Sequence, residues 1–270
     1  MIRSYAALLL AAGQGSRLRP YTDHWPKCLM PIHNRPLLEY WLEAVRSVGM
    51  TDVLVNLGYL APLVRSFLER PSLNTWVKSV YEPELQGTAG TLRANASFFA
   101  KATTTLLVHA DNWCQCDFQA FLDYHRYHRP DHCAITMMTF TTETPQTCGI
   151  VETDSNGVVT AFYEKVADPP GNVANGAVYL LEPEVLNWLT ANPQINDFST
   201  QVLPCYTGRI ATWHNARCHR DIGTIAALQA AQGDPQPDTT RDGCLLVEQD
   251  DWYRMFAQHP IHRQLQQNDP

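Results

Sequence analysis

Short apolar runs and amphipathic stretches alternate along the first half of the chain. The apolar runs have the length of buried strands, whereas the stretches between them repeat their apolar positions as helices do. Strands are predicted at residues 6–11, 53–57, 76–81 and 105–110, and helices at residues 36–48, 60–68 and from the glycine loop at 86–90 to about residue 99. Strands that alternate with helices indicate a mostly parallel sheet with helices on both faces.

The pattern changes in the second half, where strand-like segments follow one another and residues 154–157 (Asp-Ser-Asn-Gly) are typical of a hairpin turn. Strands are predicted at residues 134–140, 149–153, 158–163, 177–181 and 209–213, and helices at 183–189, 197–206 and 224–232. Proline, glycine and aspartate at 233–238 indicate a linker. We therefore predict one domain over residues 1–232, followed by a linker and polar tail over residues 233–270.

The predicted tail contains one amphipathic stretch, formed by Trp252, Tyr253, Met255 and Phe256. Its apolar side chains recur at helical spacing, which predicts a helix with one face to bury. Such a helix would pack either on the body of the protein or on another subunit, and the sequence leaves both alternatives open.

Composition narrows the classes of function. The chain has 270 residues, 45% of them apolar, and a net charge of −7. It can bury a large core, but it lacks the basic face of a sequence-independent nucleic-acid binder. A phosphate ligand is compatible with this charge, because a site needs only a few local cations.

Membrane and secretory interpretations are disfavoured by the same pattern. No apolar run approaches the ~20 residues of a membrane helix, and residues 5–12 are interpreted as a buried strand rather than as a signal-peptide core. Eight dispersed cysteines without a C-x-x-C pair favour free thiols in a reducing compartment. We therefore expect a cytoplasmic location, with neither a membrane nor a nucleic acid as partner.

Two further clusters carry weaker signals. His125, His128 and His132 have a metal-like spacing, but they lie at the polar end of a predicted helix, which favours a solvated surface. Cys114 and Cys116 are two thiols only, and two thiols do not make a zinc site.

The richest segment for chemistry follows the first predicted strand, where open α/β sheets bind ligands. It reads Leu-Ala-Ala-Gly-Gln-Gly-Ser-Arg-Leu-Arg-Pro from Leu10 to Pro20. Glycines allow a close approach of the backbone to an anion, and exposed N–H groups can hold phosphate. Lys27 follows in Pro-Lys-Cys-Leu-Met-Pro, so Arg17 and Lys27 together supply two cations suited to a polyphosphate.

These segments resemble the signature of the sugar-nucleotide pyrophosphorylases, G-x-G-x-R-L-x-P followed by T-x-x-x-P-K-x-L. The matching residues are Gly13, Gly15, Arg17, Leu18, Pro20, Thr22, Pro26, Lys27 and Leu29. Later segments of the chain resemble the same family at residues 82–90, 109–112, 148–151, 164–165, 175–179, 197–199 and 221–224. The sequence departs from the family pattern at Ala110, where glycine is usual, at Cys148, where tyrosine is usual, and in the order of Gly176 and Ala177. The resemblance covers about residues 5–232.

The resemblance implies a GT-A-like α/β fold, with a Rossmann-type mixed sheet flanked by helices and without a β-helix domain. It also implies a transferase of nucleotide-sugar biosynthesis: a sugar 1-phosphate oxygen attacks the α-phosphorus of a nucleoside triphosphate, and pyrophosphate leaves. Because both reactants are anions, positioning and charge neutralisation dominate such chemistry.

Roles follow for individual residues, carried over from the matching motifs. The catalytic residues would be Arg17, Lys27 and Lys165, and nucleotide binding would fall to Leu10, Ala11, Gly13, Gly15, Gly87 and Thr88. The sugar phosphate would be bound by Gly149, Glu164, Lys165 and Asn175. Asp111 and Asp221 would bind Mg²⁺ through hard oxygen ligands. For each aspartate the alternative is a turn or a helix cap.

The loop at Gly87 indicates which nucleotide base and which sugar 1-phosphate the protein would use. Thymidylyl enzymes of the family resemble L-A-Q-A there, whereas this chain has Thr88 at about the place of the glutamine, which leaves room for a larger base. This favours GTP with mannose 1-phosphate or heptose 1-phosphate. Gln86 lies next door and could supply an amide, so a glucose-1-phosphate uridylyl- or thymidylyltransferase remains the alternative.

Two alternatives come from other classes. A catalytically inactive regulatory or binding subunit of the same fold is disfavoured by the intact Arg17, Lys27, Asp111, Lys165 and Asp221. A dinucleotide-dependent oxidoreductase is disfavoured by the glycine spacing. The expected partners are therefore a nucleoside triphosphate and a sugar 1-phosphate, together with a second copy of the chain if the protein is a homo-oligomer.

Overall fold

Strands and helices alternate through most of the chain in the computed structural model, which describes residues 4–237 and 250–267. The strands are β1 (Tyr5–Leu10), β2 (Pro31–Ile32), β3 (Arg35–Pro36), β4 (Asp52–Leu57), β5 (Val77–Tyr81), β6 (Thr104–His109), β7 (Asn112–Cys114), β8 (Ile135–Thr141), β9 (Gly149–Thr153), β10 (Val159–Glu164), β11 (Val173–Leu181), β12 (Ile210–His214) and β13 (His219–Asp221). The helices are α1 (Leu37–Ser47), α2 (Ala61–Leu68), α3 (Thr88–Ala94), α4 (Ala96–Phe99), α5 (Phe118–Tyr127), α6 (Pro183–Ala191), α7 (Ile225–Gly233), α8 (Asp251–Gln258) and α9 (Ile261–Gln267).

The chain divides into two units, which we describe separately. Unit 1 contains the described residues 4–8, 85–108 and 116–217, and unit 2 contains 9–84, 109–115, 218–237 and 250–267. Within the described residues, no helix combines the length and the apolar character that a membrane crossing requires.

Unit 1 is built on antiparallel pairing around β11, which pairs with β6, β8 and β9. The strands β9 and β10 form a hairpin, and β12 joins β8 in parallel. The turn of the hairpin is closed by Asp154, whose Oδ1 accepts the backbone N–H groups of Asn156 and Val158 at 2.8 and 2.9 Å. Gly157 takes a positive φ of 73° in this turn, as the Asp-Ser-Asn-Gly motif predicted.

Helix α5 of unit 1 packs through Phe118, Phe121 and Leu122, which recur at helical spacing. The same helix corrects one expectation. His125 is 2% exposed instead of solvated, and its Nδ1 lies 2.8 Å from Thr136 Oγ1 while its Nε2 lies 3.1 Å from Glu182 Oε1. The prediction of a solvated surface was wrong for His125, because its polar partners come from β8 and from the start of α6, which the local pattern does not reveal.

Unit 2 contains the parallel pair β4–β5 and two short antiparallel pairs, β2–β3 and β7–β13. Helix α1 presents its predicted apolar stripe, Leu37, Leu38, Trp41, Leu42 and Val45, to the interior. Trp41 also donates its indole N–H to the carbonyl of Asn112 at 2.8 Å, which ties α1 to the start of β7.

Most predicted elements are present, and the differences have local causes. The helix expected to run to residue 99 is interrupted at Asn95, whose side chain donates to the carbonyl of Thr91 at 2.9 Å. Strand β11 starts at Val173, earlier than predicted, because its register shifts between Asn175 and Tyr179 and Ala177 there has a φ of 53°. The segment 197–206 consists of a π-turn and a 3-10 turn rather than an α-helix.

Candidate active site

In unit 2, one lysine joins two carboxylates. Lys27 Nζ lies 2.9 Å from Asp111 Oδ2 and 2.9 Å from Asp221 Oδ1. The Lys27 side chain is 6% exposed, whereas those of Asp111 and Asp221 are 35% and 52% exposed. Arg17 adds a second cation, with Nη2 at 3.1 Å from Asp221 Oδ2. Four residues that lie far apart in the sequence thus form one charged cluster at the protein surface.

The two carboxylates are placed by neighbouring strands. Asp111 lies in the turn between β6 and β7, and Asp221 is the last residue of β13. Because β7 and β13 are antiparallel, Asp221 pairs with Asn112 in the ladder, directly beside Asp111. The alternative that Asp221 caps a helix is wrong, since α7 is capped by Thr224, whose Oγ1 accepts from Ala227 N at 3.2 Å.

Lys27 is held by a tight 3-10 turn. Pro26 enters the turn with extended backbone, and Leu29 N and Met30 N donate to the carbonyls of Pro26 and Lys27 at 2.9 and 3.0 Å. The indole N–H of Trp25 donates to the carbonyl of Leu29 at 2.8 Å and closes the turn from outside. The Pro-Lys-Cys-Leu motif therefore forms a rigid turn that positions the buried Lys27 ammonium group.

Gly15 packs closely against the turn that carries Lys27, and a side chain there would not fit. Its φ is 61°, and a Cβ at this position would lie 3.0 Å from both Lys27 Cβ and Thr22 Cγ2. The Thr22 hydroxyl donates to the carbonyl of Gly15 at 2.9 Å and fixes the loop. The glycine and the threonine of the sequence motif thus serve the packing of Lys27 as well as the loop itself.

The charges of the cluster stabilise one another. Burial acts to lower the pKa of the Lys27 ammonium, but the charges and hydrogen bonds of Asp111 and Asp221 outweigh it and raise that pKa above 10.5. Burial acts to raise the pKa of Asp221, but Lys27 and Arg17 overcome it and hold that pKa below 3.8. Lys27 is therefore a cation and Asp221 an anion throughout the neutral pH range.

The glycine loop leaves β1 with its first two residues hydrogen-bonded. Ala11 N donates to the buried Asn56 Oδ1 at 2.7 Å, and the carbonyl of Leu10 accepts from Ala110 N at 3.0 Å. Gly13 is different: it is exposed, and apart from its two chain neighbours no described residue has a heavy atom within 4 Å of the position its Cβ would take. The open backbone beside Gly13 is where a ligand can approach closely.

In unit 1, three of the four predicted sugar-binding residues, Gly149, Glu164 and Lys165, come together at the end of the β9–β10 hairpin. Gly149 pairs with Glu164 across the ladder, and a Cβ on Gly149 would lie 2.7 Å from Glu164 Oε2. Lys165 Nζ lies 3.3 Å from Glu164 Oε1 and is well exposed, while Lys165 N donates to the carbonyl of Cys148 at 3.1 Å. The same Cβ would lie 2.7 Å from Phe162 Cζ, so a side chain at position 149 would have to displace the Glu164 carboxylate and the Phe162 ring.

Asn175 has a conformational role in the structure. Its Oδ1 accepts from Ala177 N at 2.9 Å, and its Nδ2 donates to the hydroxyl of Tyr179 at 2.6 Å. These bonds hold the irregular part of β11. Substrate binding by Asn175 stays a prediction.

Gly87 and Thr88, also in unit 1, meet the turn at Asn196. A Cβ on Gly87, whose φ is 78°, would lie 2.4 Å from the carbonyl oxygen of Asn196. That carbonyl accepts from Ala89 N at 2.9 Å and Gly90 N at 3.1 Å. Thr88 Oγ1 accepts from Phe198 N at 2.7 Å. The loop at Gly87 and Thr88 is thus hydrogen-bonded to residues 196–198. Its contact with a nucleotide stays a prediction.

The carboxylates of Asp111 and Asp221 are arranged suitably for binding a magnesium ion. Asp111 and Asp221 direct carboxylate oxygens to one point, where Lys27 Nζ now bonds both. Mg²⁺ is usually bound by one or two carboxylates together with substrate phosphates and water. Among the described residues, no group of three histidine, cysteine, aspartate or glutamate side chains has a metal-binding arrangement.

Sequence reasoning missed the residues that anchor the cluster. Arg220 forms a bidentate pair with Asp234, with distances of 3.1 Å from Nε and 2.9 Å from Nη2. The Cys218 thiol also donates to Asp234 Oδ2 at 3.1 Å, and burial together with that carboxylate raises its pKa to about 12. Asp234 thereby holds β13, which carries Asp221. The segment 233–238 looked like a linker, and no local pattern signals this pairing.

Fold and site together define a class. A mixed α/β sheet that brings a glycine loop, two cations and two carboxylates to its strand ends is typical of proteins that bind phosphate groups. A model of the nucleotidyl transferase family matches residues 6–236. The chain therefore belongs to that family, and the resemblance to the sugar-nucleotide pyrophosphorylases is confirmed.

Curated relatives are consistent with this membership. The mannose-1-phosphate guanylyltransferase of Mycobacterium tuberculosis is 28% identical over 223 residues, which are 81% of this chain and 61% of that protein. The mannose-1-phosphate guanyltransferase of Emericella nidulans is 30% identical over 192 residues, 69% of this chain and 52% of that protein. The chain thus spans about half to three fifths of the length of these relatives.

A solved structure shows the same fold. A Bacillus anthracis protein assigned as a glucose-1-phosphate thymidylyltransferase superposes with a TM-score of 0.75 at 18% identity, covering 85% of this chain and 94% of that chain. At this identity the likeness establishes the fold alone. The predicted GT-A-like α/β fold with a mixed sheet is confirmed.

Proposed function

We propose that this protein is a sugar-1-phosphate nucleotidyltransferase, which forms a nucleoside diphosphate sugar and pyrophosphate. The observation that carries the proposal is the bonding of Lys27 to both Asp111 and Asp221, with Arg17 on Asp221. A buried, permanently charged ammonium beside two carboxylates is an arrangement that neutralises and orients phosphates. Membership of the nucleotidyl transferase family supports the same reaction.

The chemistry requires one substitution at phosphorus. A phosphate oxygen of the sugar 1-phosphate forms a bond to the α-phosphorus, the bond from the α-phosphorus to the bridging oxygen breaks, and pyrophosphate leaves with the electron pair. Lys27 would stabilise the charge that develops on the α-phosphate oxygens. Arg17, whose side chain is largely exposed, would turn from Asp221 to the departing phosphates. The rigid turn fixes the Lys27 backbone, so the reorganisation is confined to the side chain.

Mg²⁺ would be held by Asp111 and Asp221, and when bound it supplies positive charge against the phosphates. In that state Lys27 would release one or both carboxylates and bond phosphate oxygens instead. The Lys27 ammonium is bonded to both carboxylates at 2.9 Å, so it is the group that this exchange must move.

The sugar 1-phosphate would be bound by residues of unit 1. Lys165 Nζ is exposed next to Glu164, so it can bond a phosphate while Glu164 accepts from a sugar hydroxyl. Gly149 would leave room for the Glu164 carboxylate and the Phe162 ring, because a side chain there would displace both.

GTP with mannose 1-phosphate or a heptose 1-phosphate is the substrate pair that we propose. Thr88 in place of a glutamine leaves room for a purine, and the curated relatives named above are mannose-1-phosphate guanylyltransferases. We expect a preference among bases rather than absolute exclusion, because a pocket that acts by shape discriminates weakly. The cytoplasmic location and a homo-oligomeric state remain predictions.

A substrate matrix tests the proposal. GTP, UTP, dTTP, CTP and ATP are each combined with mannose, heptose and glucose 1-phosphates, with Mg²⁺ and with EDTA, and pyrophosphate release is measured. We expect release only when both substrates and the metal are present, with the highest kcat/KM for GTP. Preference for UTP or dTTP with glucose 1-phosphate would overturn the substrate assignment and keep the reaction. A folded protein that is inactive with every pair would be the inactive-subunit alternative.

A further inference from the structure

The C-terminal segment, residues 250–267, packs against the turn that carries Lys27. Trp25, which is 1% exposed, is covered by Phe256 at a ring-centroid distance of 5.8 Å and by His259 at 4.2 Å. Trp252 extends this aromatic cluster and packs on Phe67 at 4.8 Å. All of these residues belong to unit 2.

Polar contacts fasten the segment at both ends. Asp250 caps α8 by accepting from Tyr253 N at 2.8 Å, and it forms an ion pair with the buried Arg70, whose Nε lies 2.5 Å from its Oδ2. Near the other end, the hydroxyl of Tyr21 donates to the carbonyl of Gln264 at 3.4 Å. The aromatic cluster therefore lies on a segment that is held in place from two sides.

A short path leads from this segment to the site. Phe256 and His259 hold the indole ring of Trp25, and the indole N–H of Trp25 donates to the carbonyl of Leu29. Leu29 N closes the 3-10 turn on Pro26, and Lys27 lies within that turn. The indole of Trp25 thus fixes the carbonyl of Leu29, the residue whose N–H closes the Lys27 turn.

The segment is not part of what the family model describes. That model ends at residue 236, whereas α8 begins at Asp251. The family's signature loop is therefore supported in this chain by residues that lie outside the matched domain.

We propose that Phe256 and Trp25 are positioning residues for Lys27, and that the C-terminal segment is a support on which the rate of nucleotidyl transfer depends. This inference rests on the proposed function. It differs from a purely stabilising role, because it predicts a loss of kcat in a protein that remains folded. A displacement of about 1 Å in a reacting or charged group can cost about 100-fold in rate.

The test compares Phe256→Ala with Met255→Ala, its neighbour on the same helix, whose side chain is 40% exposed. Amide hydrogen exchange is followed at Leu29 and Met30, and kcat and KM are measured with the best substrate pair. For Phe256→Ala we expect faster exchange at both amides and a 10- to 100-fold lower kcat, with KM for the sugar phosphate changed less than about threefold. Phe256→Leu should recover most of the kcat, and Met255→Ala should resemble the unmodified protein.

A second pair of variants isolates the hydrogen bond and is used if Phe256→Ala does not fold. Trp25→Phe keeps an aromatic ring but removes the donor to Leu29, whereas Trp252→Phe removes an indole N–H that lies 3.3 Å from Ser66 Oγ instead. We expect faster exchange at Leu29 and Met30 only for Trp25→Phe.

Unchanged exchange at Leu29 and Met30 in Phe256→Ala and Trp25→Phe, or unchanged kcat with faster exchange, would overturn the inference. Because exchange is measured without substrates, it tests the support of the turn even if the whole substrate matrix is inactive. Inactivity with every substrate pair would count against the proposed function alone.

Discussion

At the scale of single residues, the candidate site depends on compensating charges. An ammonium group as buried as that of Lys27 is costly unless it is paired, and Asp111 and Asp221 provide the pairing at 2.9 Å each. The same carboxylates are the donors that suit Mg²⁺. One set of residues thus serves stability in the ligand-free protein and the proposed chemistry with substrates.

We expect Asp111→Asn and Asp221→Asn each to lower kcat by about 100-fold or more, because each removes an anionic ligand with little change of shape. Lys27 keeps the other carboxylate in each variant, so the fold should survive. The measurement is pyrophosphate release at saturating substrates, with the melting temperature as a check on folding. Asp123→Asn, on the surface of α5, serves as a charge-matched control. Normal turnover of either site variant would contradict its assignment as a metal ligand.

Gly13→Ala separates ligand contact from stability. Apart from its chain neighbours, no residue that the structure describes lies within 4 Å of the added Cβ, and the φ of Gly13 is not in the left-handed region. The free energy of unfolding should therefore change by less than about 0.5 kcal/mol. If the nucleotide phosphates approach this backbone, the methyl group should raise KM for the triphosphate several-fold. Gly171→Ala, where the added Cβ is equally free of neighbours, should leave both quantities unchanged. An unchanged KM in Gly13→Ala would place the nucleotide elsewhere.

At the scale of elements, short irregular pieces hold the site more than long helices do. The three-residue strand β13 carries Asp221 and is anchored through Arg220 to Asp234, while a three-residue turn carries Lys27. The C-terminal segment adds a support with two histidines, His259 between α8 and α9 and His262 in α9. Burial lowers the pKa of both below 6.5, and for His259 the neighbouring His262 adds to the effect.

This lowered pKa predicts a pH-dependent C-terminal segment. Below pH 6.5 the unfolded or detached segment binds protons that the packed segment excludes, so packing weakens as the pH falls through 6.5 and levels off below the lowered pKa values. Hydrogen exchange across residues 250–265, measured between pH 7.5 and pH 5 and corrected for the intrinsic exchange rate, should show this opening. The double variant His259→Gln, His262→Gln should lose most of the dependence, and an equal dependence in that variant would refute the assignment.

At the scale of the whole molecule, the chain is acidic although the substrates that we propose are anions. The net charge is −7, yet Arg17, Lys27 and Lys165 present cations where the family motifs lie. Binding therefore depends on local charge rather than on overall attraction. The family model spans residues 6–236, so both units contribute residues to the matched region.

Ligand binding should be visible in the stability of the whole protein. A ligand at about 100 times its dissociation constant adds about 2.7 kcal/mol to the free energy of unfolding, which is about 5–10 °C in Tm for a chain near this size. We expect GTP with Mg²⁺ to raise Tm more than UTP, dTTP, CTP or ATP at equal concentration. The Asp221→Asn variant should lose most of this shift. A larger shift with dTTP or UTP would contradict the assignment of the base.

The sequence by itself determined the class of fold and indicated the charged residues of the candidate site. Periodicity predicted strands and helices that the structure shows, since apolar spacing is set by the geometry of each element. The motif spacing also predicted the charged loop, because its residues lie close together along the sequence. They are Gly13, Gly15, Arg17, Pro26 and Lys27. Boundaries at Asn95 and Val173 were missed, because side-chain hydrogen bonds and a register shift decide them.

Only the tertiary structure decided which distant residues meet. The bond of Lys27 to Asp221 joins residues 194 positions apart, and the contact of Trp25 with Phe256 joins the signature loop to the tail. His125 became buried and Asp234 became an anchor for the same reason: their partners come from other elements. Periodicity and turn chemistry report on neighbours along the chain, whereas burial and ion pairing depend on neighbours in space, which are defined only once the strands and helices have packed.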